Sequence, residues 1–421
     1  MSSILDELQW RGLVAQTTDE SALRAHVDAG PRSVYCGFDP TAPSLHFGNL
    51  VQLVLLRHLQ RAGHRVICLV GGSTGLIGDP RPTAERTLRP PEETAANAAR
   101  IRELVEPFLD FSGDNPAILV NNLDWTEGIS ALNFLRDLGK HFRVNQMIRK
   151  EAVAARLQSQ DGISYTEFSY QILQALDFLH LYQHENVTMQ TGGQDQWGNL
   201  TAGVDLVHRV EGATVHALTT PLLTDASGEK FGKSAGNAIW LSPDMTTPWA
   251  FYQYWINVDD ADVVRLLKVF TDRDAEQIEG LELARVQTPQ RREAQQALAL
   301  DVTTLVHGAP AAERVRFASQ VLFGTADPRS IDTATLHDAV ADLPLASGQP
   351  GQPVIDALVA TGLASGRGAA RRLLDGGGVS LNNAKLGDPE RVLTAQDFLH
   401  GTTVLLRRGR RSLAAVQQNQ A

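Results

Sequence analysis

The chain has 421 residues, 43% of them hydrophobic and 20% charged, enough to bury the cores of two or three domains and too much for a single mini-domain. No apolar run approaches the roughly 18 residues of a membrane span; Asp6 and Glu7 stand where a secretory signal would be basic; and Cys36 and Cys68 provide neither a disulfide framework nor a zinc site, so the expectation is a cytoplasmic protein with no membrane contact and no protein-bound metal. The net charge of −10 argues against a nucleic-acid partner, yet residues 351–421 hold nine Lys/Arg against five Asp/Glu, a tail of +4 on a body of −14, the pattern of a chain with one end made for a polyanion.

SVYCGF (33–38) is the first of five short β-rich runs, followed by VICLV (66–70), AILVN (117–121), VTMQ (187–190) and TVHALT (214–219), with helical patterns between them. Apolar strands alternating with helices predict a doubly wound parallel sheet, an α/β fold whose ligands sit beyond the carboxyl ends of the strands. The loops after the strands therefore carry the candidate chemistry.

After the first run, GFDPTAPSLHFGNL leads into a helix beginning near His46. His46 and Asn49 share one face of its first turn and, with Thr41, add side-chain donors to a helix N-terminus that attracts phosphate; an exposed surface histidine is the alternative. GGSTGLIGDP (71–80) follows the second run. Its spacing is neither GxGxxG nor GxxxxGK[ST], so a nicotinamide fingerprint and a Walker loop are unsupported. Its glycines suit either close approach to a ligand or a tight turn, with Asp79 and Arg86 as the nearby charged side chains.

In TEFSYQILQALDFLHLY (166–182), Tyr170, Gln174 and Asp177 fall at i, i+4 and i+7 on one face. That face is either a solvated stripe or, with Ile172, Leu173, Leu176 and Leu179 around it, a seat for a zwitterion with a distant hydroxyl. TGGQDQWGN (191–199) follows the fourth run, where Asp195 and Gln196 can bind hydroxyls or a carboxylate, or a turn alone is formed. GEKFGKSAGN (228–237) places Lys230 and Lys233 among glycines. Such a loop is expected to be mobile, its lysines either solvated or closing on a polyphosphate.

From Pro248 the pattern turns helical in WAFYQYWI, DVVRLLKVF and RREAQQALALDVTTLV, which predicts a catalytic domain over 1–247 and an α-helical domain over 248–345. ASGQPGQP (346–353) reads as a linker, and residues 354–421 as a small basic module.

Together these segments resemble a bacterial-type tyrosyl-tRNA synthetase, a class I aminoacyl-tRNA synthetase, over essentially the whole chain. HFGN (46–49) is similar to the HIGH motif and KFGKS (230–234) to KMSKS, while YCGFDPTA, LVGGSTGLIGDP, FSYQILQALDF and GGQDQWGN resemble segments of the tyrosine enzymes. The resemblance implies a Rossmann-like catalytic domain, a helical domain and a small α+β RNA-binding domain like that of a ribosomal small-subunit protein. It implies L-tyrosine, ATP with Mg²⁺ and tRNA(Tyr) as partners, and a homodimer.

Carried over to this sequence, the resemblance gives Tyr35 and Asp177 the substrate phenol, Asp79, Tyr170 and Gln174 its ammonium, and Gln196 its carboxylate. ATP falls to Cys36, Asp39, Gln52, Gly193, Asp195 and Lys233. Thr41, His46, Asn49, Arg86, Lys230 and Lys233 would hold the phosphates during attack on the α-phosphorus. Arg367, Arg371, Arg372, Arg407, Arg408 and Arg410 would meet tRNA. Asn49 replaces the last His of HIGH, and no lysine follows Asp79-Pro80 closely, which leaves Arg81 or Arg86 to supply its charge. Three rivals are an enzyme for tryptophan, a non-catalytic RNA-binding protein on the same scaffold, and a P-loop ATPase; Tyr35 with Asp177, the presence of the phosphate-site cations, and the lack of a P-loop lysine argue against them in turn.

Overall fold

Five parallel strands carry the first sheet of the computed structural model, which describes residues 3–81, 86–224, 231–234, 237–324, 326–341, 343–409 and 412–418. They are β2 (Ser33–Phe38), β3 (Arg65–Val70), β4 (Ile118–Asn121), β5 (Val187–Gly193) and β6 (His216–Thr220), with the short β1 (Gln16–Thr17) antiparallel on the edge. The order is β1-β6-β5-β2-β3-β4. Each of the five expected runs forms a strand; β3 and β6 are buried almost throughout, as apolar runs covered on both faces should be, while β4 on the edge is half-buried. Chain order runs one way from β2 through β3 to β4 and the other way from β5 to β6, so the direction reverses between β2 and β5. That switch point opens a crevice at the strand ends and brings the loops after β2 and β5 together.

Two helices wall this crevice. Phe47–Arg61 follows β2 and buries Phe47, Leu50, Val51, Leu53, Val54, Leu55, Leu56 and Leu59. Tyr165–Glu185 starts at Ser164, whose hydroxyl accepts the Glu167 N–H, and stops at Asn186, which takes the left-handed conformation (φ 55°) that asparagine tolerates. Beyond β6, β7 (Lys233–Ser234) and β8 (Asn237–Ala238) form a small antiparallel pair.

The chain divides into two compact units, one holding the chain up to Thr246 with Val258–Leu298, the other Thr247–Asn257 with the chain from Ala299 onward. The helices expected after Pro248 form at Pro248–Ile256, Val263–Phe270 and Glu293–His307, but they are shared between the units rather than making one block over 248–345. The reason is what each one buries. In the second unit Phe251 meets His307 edge-on with ring centroids 4.8 Å apart, and Trp249, Tyr252 and Trp255 are buried. In the first, the buried Arg11 guanidinium donates to the carbonyls of Lys268 and Thr271 at 3.0 and 2.8 Å, anchoring the end of Val263–Phe270.

A second sheet lies in the second unit: β9 (Leu345–Gly348), β10 (Val379–Leu381), β11 (Ala384–Leu386), β12 (Thr403–Arg408) and β13 (Ser412–Gln418), in the order β11-β10-β12-β13-β9. β9 corrects the reading of 346–353 as a linker, since Ala346, Ser347 and Gly348 pair in parallel register with Val416, Gln417 and Gln418. A Cβ on Gly348 would stand 2.3 Å from Val416 Cγ1, so the small residues there serve close packing. Val354, Leu358, Ala370, Leu374, Val404 and Leu406 fill the core beneath. Among the described residues, no helix is long and apolar enough to cross a membrane.

Candidate active site

The crevice is entered over the first turn of Phe47–Arg61. His46 is its N-cap; its Nδ1 accepts the Gly48 N–H at 3.0 Å while Asn49 Oδ1 accepts the His46 N–H at 3.1 Å. With Nδ1 as acceptor, the neutral imidazole carries its proton on Nε2. HFGN thus builds a reciprocal cap as well as placing two polar groups at a helix N-terminus. Thr41, half-buried, closes the preceding loop through its N–H to the Asp39 carbonyl at 2.8 Å.

Two carboxylates occupy the floor. Asp39 Oδ1 accepts from Thr74 Oγ1 at 2.7 Å and Oδ2 from Tyr170 Oη at 2.8 Å; burial holds its carboxyl above the ordinary range against these two hydrogen bonds. A Cβ on Gly71 would come within 2.0 Å of Asp39 Oδ1, so the first glycine of GGSTG makes room for this side chain. Asp79 Oδ1 accepts from Lys150 Nζ at 2.8 Å and Asn199 Nδ2 at 3.2 Å, and Oδ2 accepts from Gln196 Nε2 at 3.0 Å. Tyr170 therefore bonds Asp39, and Gln196 bonds Asp79. Gln174 is half-buried on the same helix as Tyr170.

Asp79, Arg81 and Arg86 are tied from below. Arg86 donates its Nε–H to the Asp79 carbonyl at 2.7 Å and its backbone N–H to Glu167 Oε1 at 2.9 Å. Glu167 Oε2 pairs with Arg156 at 2.9 Å, with side chains 2% and 1% exposed, and Arg156 also donates to the carbonyls of Gly162 and Arg81. Arg81 is itself exposed.

Deeper in the same unit, Asp177 Oδ2 accepts from Asn122 Nδ2 and Oδ1 from Trp125 Nε1, both at 3.0 Å. Burial pushes its carboxyl up to about 8 despite these donors. Tyr35 is buried beside it, its phenol raised well above the ordinary value by burial and then by the Asp177 charge. Among the described residues, Tyr35 Oη has no hydrogen-bond partner. With Tyr170 and Asp177 both buried, the polar face of the helix is an internal one, and the solvated-stripe alternative fails.

On the β5 side, Asp195 is exposed, and a Cβ on Gly193 would lie 2.5 Å from its Oδ1. Cys36 Sγ donates to Gln52 Oε1 at 3.6 Å and Gln52 Nε2 to Thr220 Oγ1 at 2.6 Å, with burial pushing the Cys36 thiol up to about 12. The Lys233 backbone pairs with Ala238 across β7 and β8; Lys230 and Arg410 lie outside the described residues.

The basic residues of the second unit separate into two groups. Arg367, Arg371 and Arg372 are exposed on the helix Arg367–Asp375, Arg367 pairing with Asp356 at 3.3 Å and Arg371 with Glu390. Arg408, also exposed, donates to the Leu363 carbonyl at 2.8 Å. Arg407 is different: it donates to the carbonyls of Gly324 and Leu322 at 3.0 and 2.8 Å and to Asn383 Oδ1, and burial lowers its pKa. Its fork is spent on the carboxyl end of the helix Ala309–Phe323, a structural use that the basic run did not disclose.

Lys150, Asn122, Trp125 and Arg156 reach the site across long stretches of chain with no local pattern to mark them, and Glu167 stands inside TEFSYQILQALDFLHLY without a sequence signal of its buried partner Arg156. Asn199, with 0% exposure, stood in plain view inside TGGQDQWGN without being assigned a partner.

The model of class I tRNA synthetases (W and Y) matches residues 28–324, and that of the tyrosine–tRNA ligase SYY-like C-terminal domain matches residues 335–416. A tyrosine–tRNA ligase of Streptomyces coelicolor is 56% identical over 418 residues, covering 99% of both chains, and one of Mycobacterium bovis is 52% identical over 420 residues, again covering 99% of both. A C-terminally truncated mitochondrial tyrosyl-tRNA synthetase of Aspergillus nidulans superposes with a TM-score of 0.69 at 30% identity, over 76% of this chain and 94% of that one. Two carboxylates at the switch point of a parallel sheet, a histidine-capped helix and these matches agree, and the chain belongs to the class I tRNA synthetases of the tryptophan and tyrosine group, with the C-terminal domain of the tyrosine–tRNA ligases.

Proposed function

We propose that the chain is a tyrosine–tRNA ligase, which activates L-tyrosine with ATP to tyrosyl-adenylate and pyrophosphate and then esterifies the 3′ end of tRNA(Tyr). The observation that carries the tyrosine reading is the buried hydroxyl of Tyr35, without a hydrogen-bond partner among the described residues, beside Asp177. A phenol can accept from Tyr35 Oη and donate to Asp177, satisfying both. An indole N–H has no acceptor to offer, and a phenyl ring has neither group, so each leaves a buried polar atom unpaired at a cost of about 1–3 kcal/mol.

Asp79, Tyr170 and Gln174 take the ammonium of tyrosine and Gln196 lies near its carboxylate. Asp195 and Gly193 face the ATP ribose, with Asp39, Cys36 and Gln52 on the same side and Lys233 at the phosphates. The tyrosine carboxylate, already ionised, attacks the α-phosphorus; a C–O–P bond forms and the P–O bond to pyrophosphate breaks. No general base is needed. Thr41, His46, Asn49, Arg86, Lys230 and Lys233 hold the phosphates and neutralise the charge that develops on the leaving group. The Nε2–H tautomer of His46 set by its cap supports that role. Magnesium enters as the partner of ATP.

The exposed Arg367, Arg371, Arg372 and Arg408 form the tRNA-facing group, with Arg410, while Arg407 braces the module from within. A homodimer is supported by Leu132, Leu135, Val144, Ile148 and Leu157, large apolar side chains exposed within one stretch of the first unit. The cytoplasm is the compartment we assign to it, because charged tRNA is consumed there in translation. Incubation with ATP, Mg²⁺, labelled tyrosine and total bacterial tRNA should yield base-labile tyrosyl-tRNA; esterification with tryptophan in place of tyrosine would overturn the reading.

A further inference from the structure

Asp79 is the carboxylate to which the proposed function assigns the ammonium of tyrosine, and in this structure a cation already stands on it. Lys150 Nζ lies 2.8 Å from Asp79 Oδ1 and 2.8 Å from Asn199 Oδ1. Both charges are largely withdrawn from solvent, the Lys150 side chain 9% and that of Asp79 15% exposed. The remaining capacity of the carboxylate goes to Asn199 Nδ2 and Gln196 Nε2, and Asn199 Nδ2 also reaches Gln196 Oε1 at 2.8 Å. Lys150, Asp79, Asn199 and Gln196 thus close a neutral ring of hydrogen bonds.

An alkylammonium seated between a carboxylate and an amide oxygen is chemically what the α-ammonium of an amino acid needs. A second ammonium on the same carboxylate would meet the first at short range in a poorly solvated site, where like charges repel strongly. We propose that Lys150 is a displaceable counter-ion, a positioning residue that neutralises Asp79 until the α-ammonium of the substrate replaces it; this rests on the tyrosine reading above.

The chain gives the lysine somewhere to go. Lys150 is the N-cap of the short helix Glu151–Leu157, and its flexible four-carbon stem borders a cavity of ≈ 370 Å³ whose other walls include Gln171, Gly198, Thr201, Asp205 and Arg209. Asp205 puts a carboxylate on that lining, beside Arg143, Arg149 and Arg209, and is the acceptor we assign to the withdrawn ammonium. Displacement makes apparent tyrosine affinity weaker than intrinsic affinity by the fraction of molecules in which the seat is open. It also favours ligands that bring their own ammonium, since a carboxylic acid without one cannot take over the charge on Asp79.

The test pairs a titration with a structure, both on the full-length protein. Wild type and Lys150→Met are titrated by calorimetry with tyrosine and with 3-(4-hydroxyphenyl)propanoate, which lacks the ammonium. The expectation is that Lys150→Met lowers the tyrosine Kd by roughly three- to tenfold and widens the ratio of the two Kd values in favour of tyrosine. A narrowed or unchanged ratio overturns the proposal. Should the variant fold poorly, a crystal structure of wild type with tyrosine decides: Lys150 Nζ withdrawn beyond hydrogen-bond reach of Asp79 is expected, and Lys150 still bonded to Asp79 beside the bound ammonium overturns it. Wild type that binds no tyrosine at all would instead remove the reading on which the proposal rests, and the proposal with it.

Discussion

Trp125 donates its indole N–H to Oδ1 of Asp177 at 3.0 Å, on the oxygen opposite the one that Asn122 holds. The indole is itself stacked on His180, with ring centroids 4.2 Å apart. The carboxyl expected to read the substrate hydroxyl is therefore aimed by two donors, one of which is locked by ring packing. Trp125→Phe keeps the stack and removes the donor. Leaving a buried carboxyl oxygen short of one hydrogen bond costs about 1–3 kcal/mol, which should appear as a lower urea midpoint, while the lost aim of the carboxyl should appear as weaker tyrosine binding in a calorimetric titration, with a much smaller change for ATP.

Tyr35 gives a test with opposite signs in its two readouts. Because its hydroxyl is buried without a partner among the described residues, Tyr35→Phe should leave the urea midpoint unchanged or raise it. The same substitution should narrow the discrimination between tyrosine and phenylalanine in adenylate formation. An unchanged ratio would remove Tyr35 from the pocket, and a large loss of stability would show that its hydroxyl is structurally satisfied.

Asp177 predicts a pH dependence. Its carboxyl moves from an ordinary value of 3.8 to about 8 in the folded chain, so between those values the folded state binds more protons than the unfolded state. Its contribution to stability is then fully present below about 4 and is lost as pH rises through about 8. Asp177→Asn abolishes that term, so the stability of the variant relative to wild type should improve steadily from pH 5 to pH 8. Urea midpoints of the two proteins at three pH values check this, and a pH-independent difference would contradict it.

The pair Arg156 and Glu167, almost fully buried, holds the backbone of Arg81 and Arg86. Glu167→Gln strands the Arg156 guanidinium and should cost about 3–5 kcal/mol, as for other broken buried pairs. Glu167→Gln combined with Arg156→Met should recover part of that stability. Denaturant midpoints of the two single variants and the double variant separate the terms.

The tail predicts a division of labour. Arg367→Gln with Arg372→Gln should raise the KM for tRNA and flatten its salt dependence by about one unit of slope for each arginine that meets a phosphate. Pyrophosphate exchange should be unaffected. Arg407→Gln should instead lower stability, because its guanidinium holds carbonyls of the protein itself.

The parts of this structure that sequence reading reached are those with local signatures. The five parallel strands are continuous apolar runs, and His46 with Asn49 announces a helix start. Tyr170, Gln174 and Asp177 share a face through simple helical spacing. What stayed hidden depends on chain segments meeting in space: Lys150 reaching Asp79, Trp125 and Asn122 converging on Asp177, and Arg407 turning inward to the end of a distant helix. Composition also misled at 346–348, where residues small enough for a flexible linker are small because an edge strand packs tightly there. The helices after Pro248 were legible as helices, but an all-round apolar segment such as WAFYQYWI does not say which core it will enter.

Whether the crevice between β2 and β5 activates tyrosine is measured most directly by amino-acid-dependent exchange of labelled pyrophosphate into ATP, run separately with tyrosine, tryptophan and phenylalanine. Exchange is expected with tyrosine, strongly reduced when Lys233 is replaced by alanine while tyrosine still binds. Absence of exchange with tyrosine, or faster exchange with tryptophan, would contradict tyrosine activation.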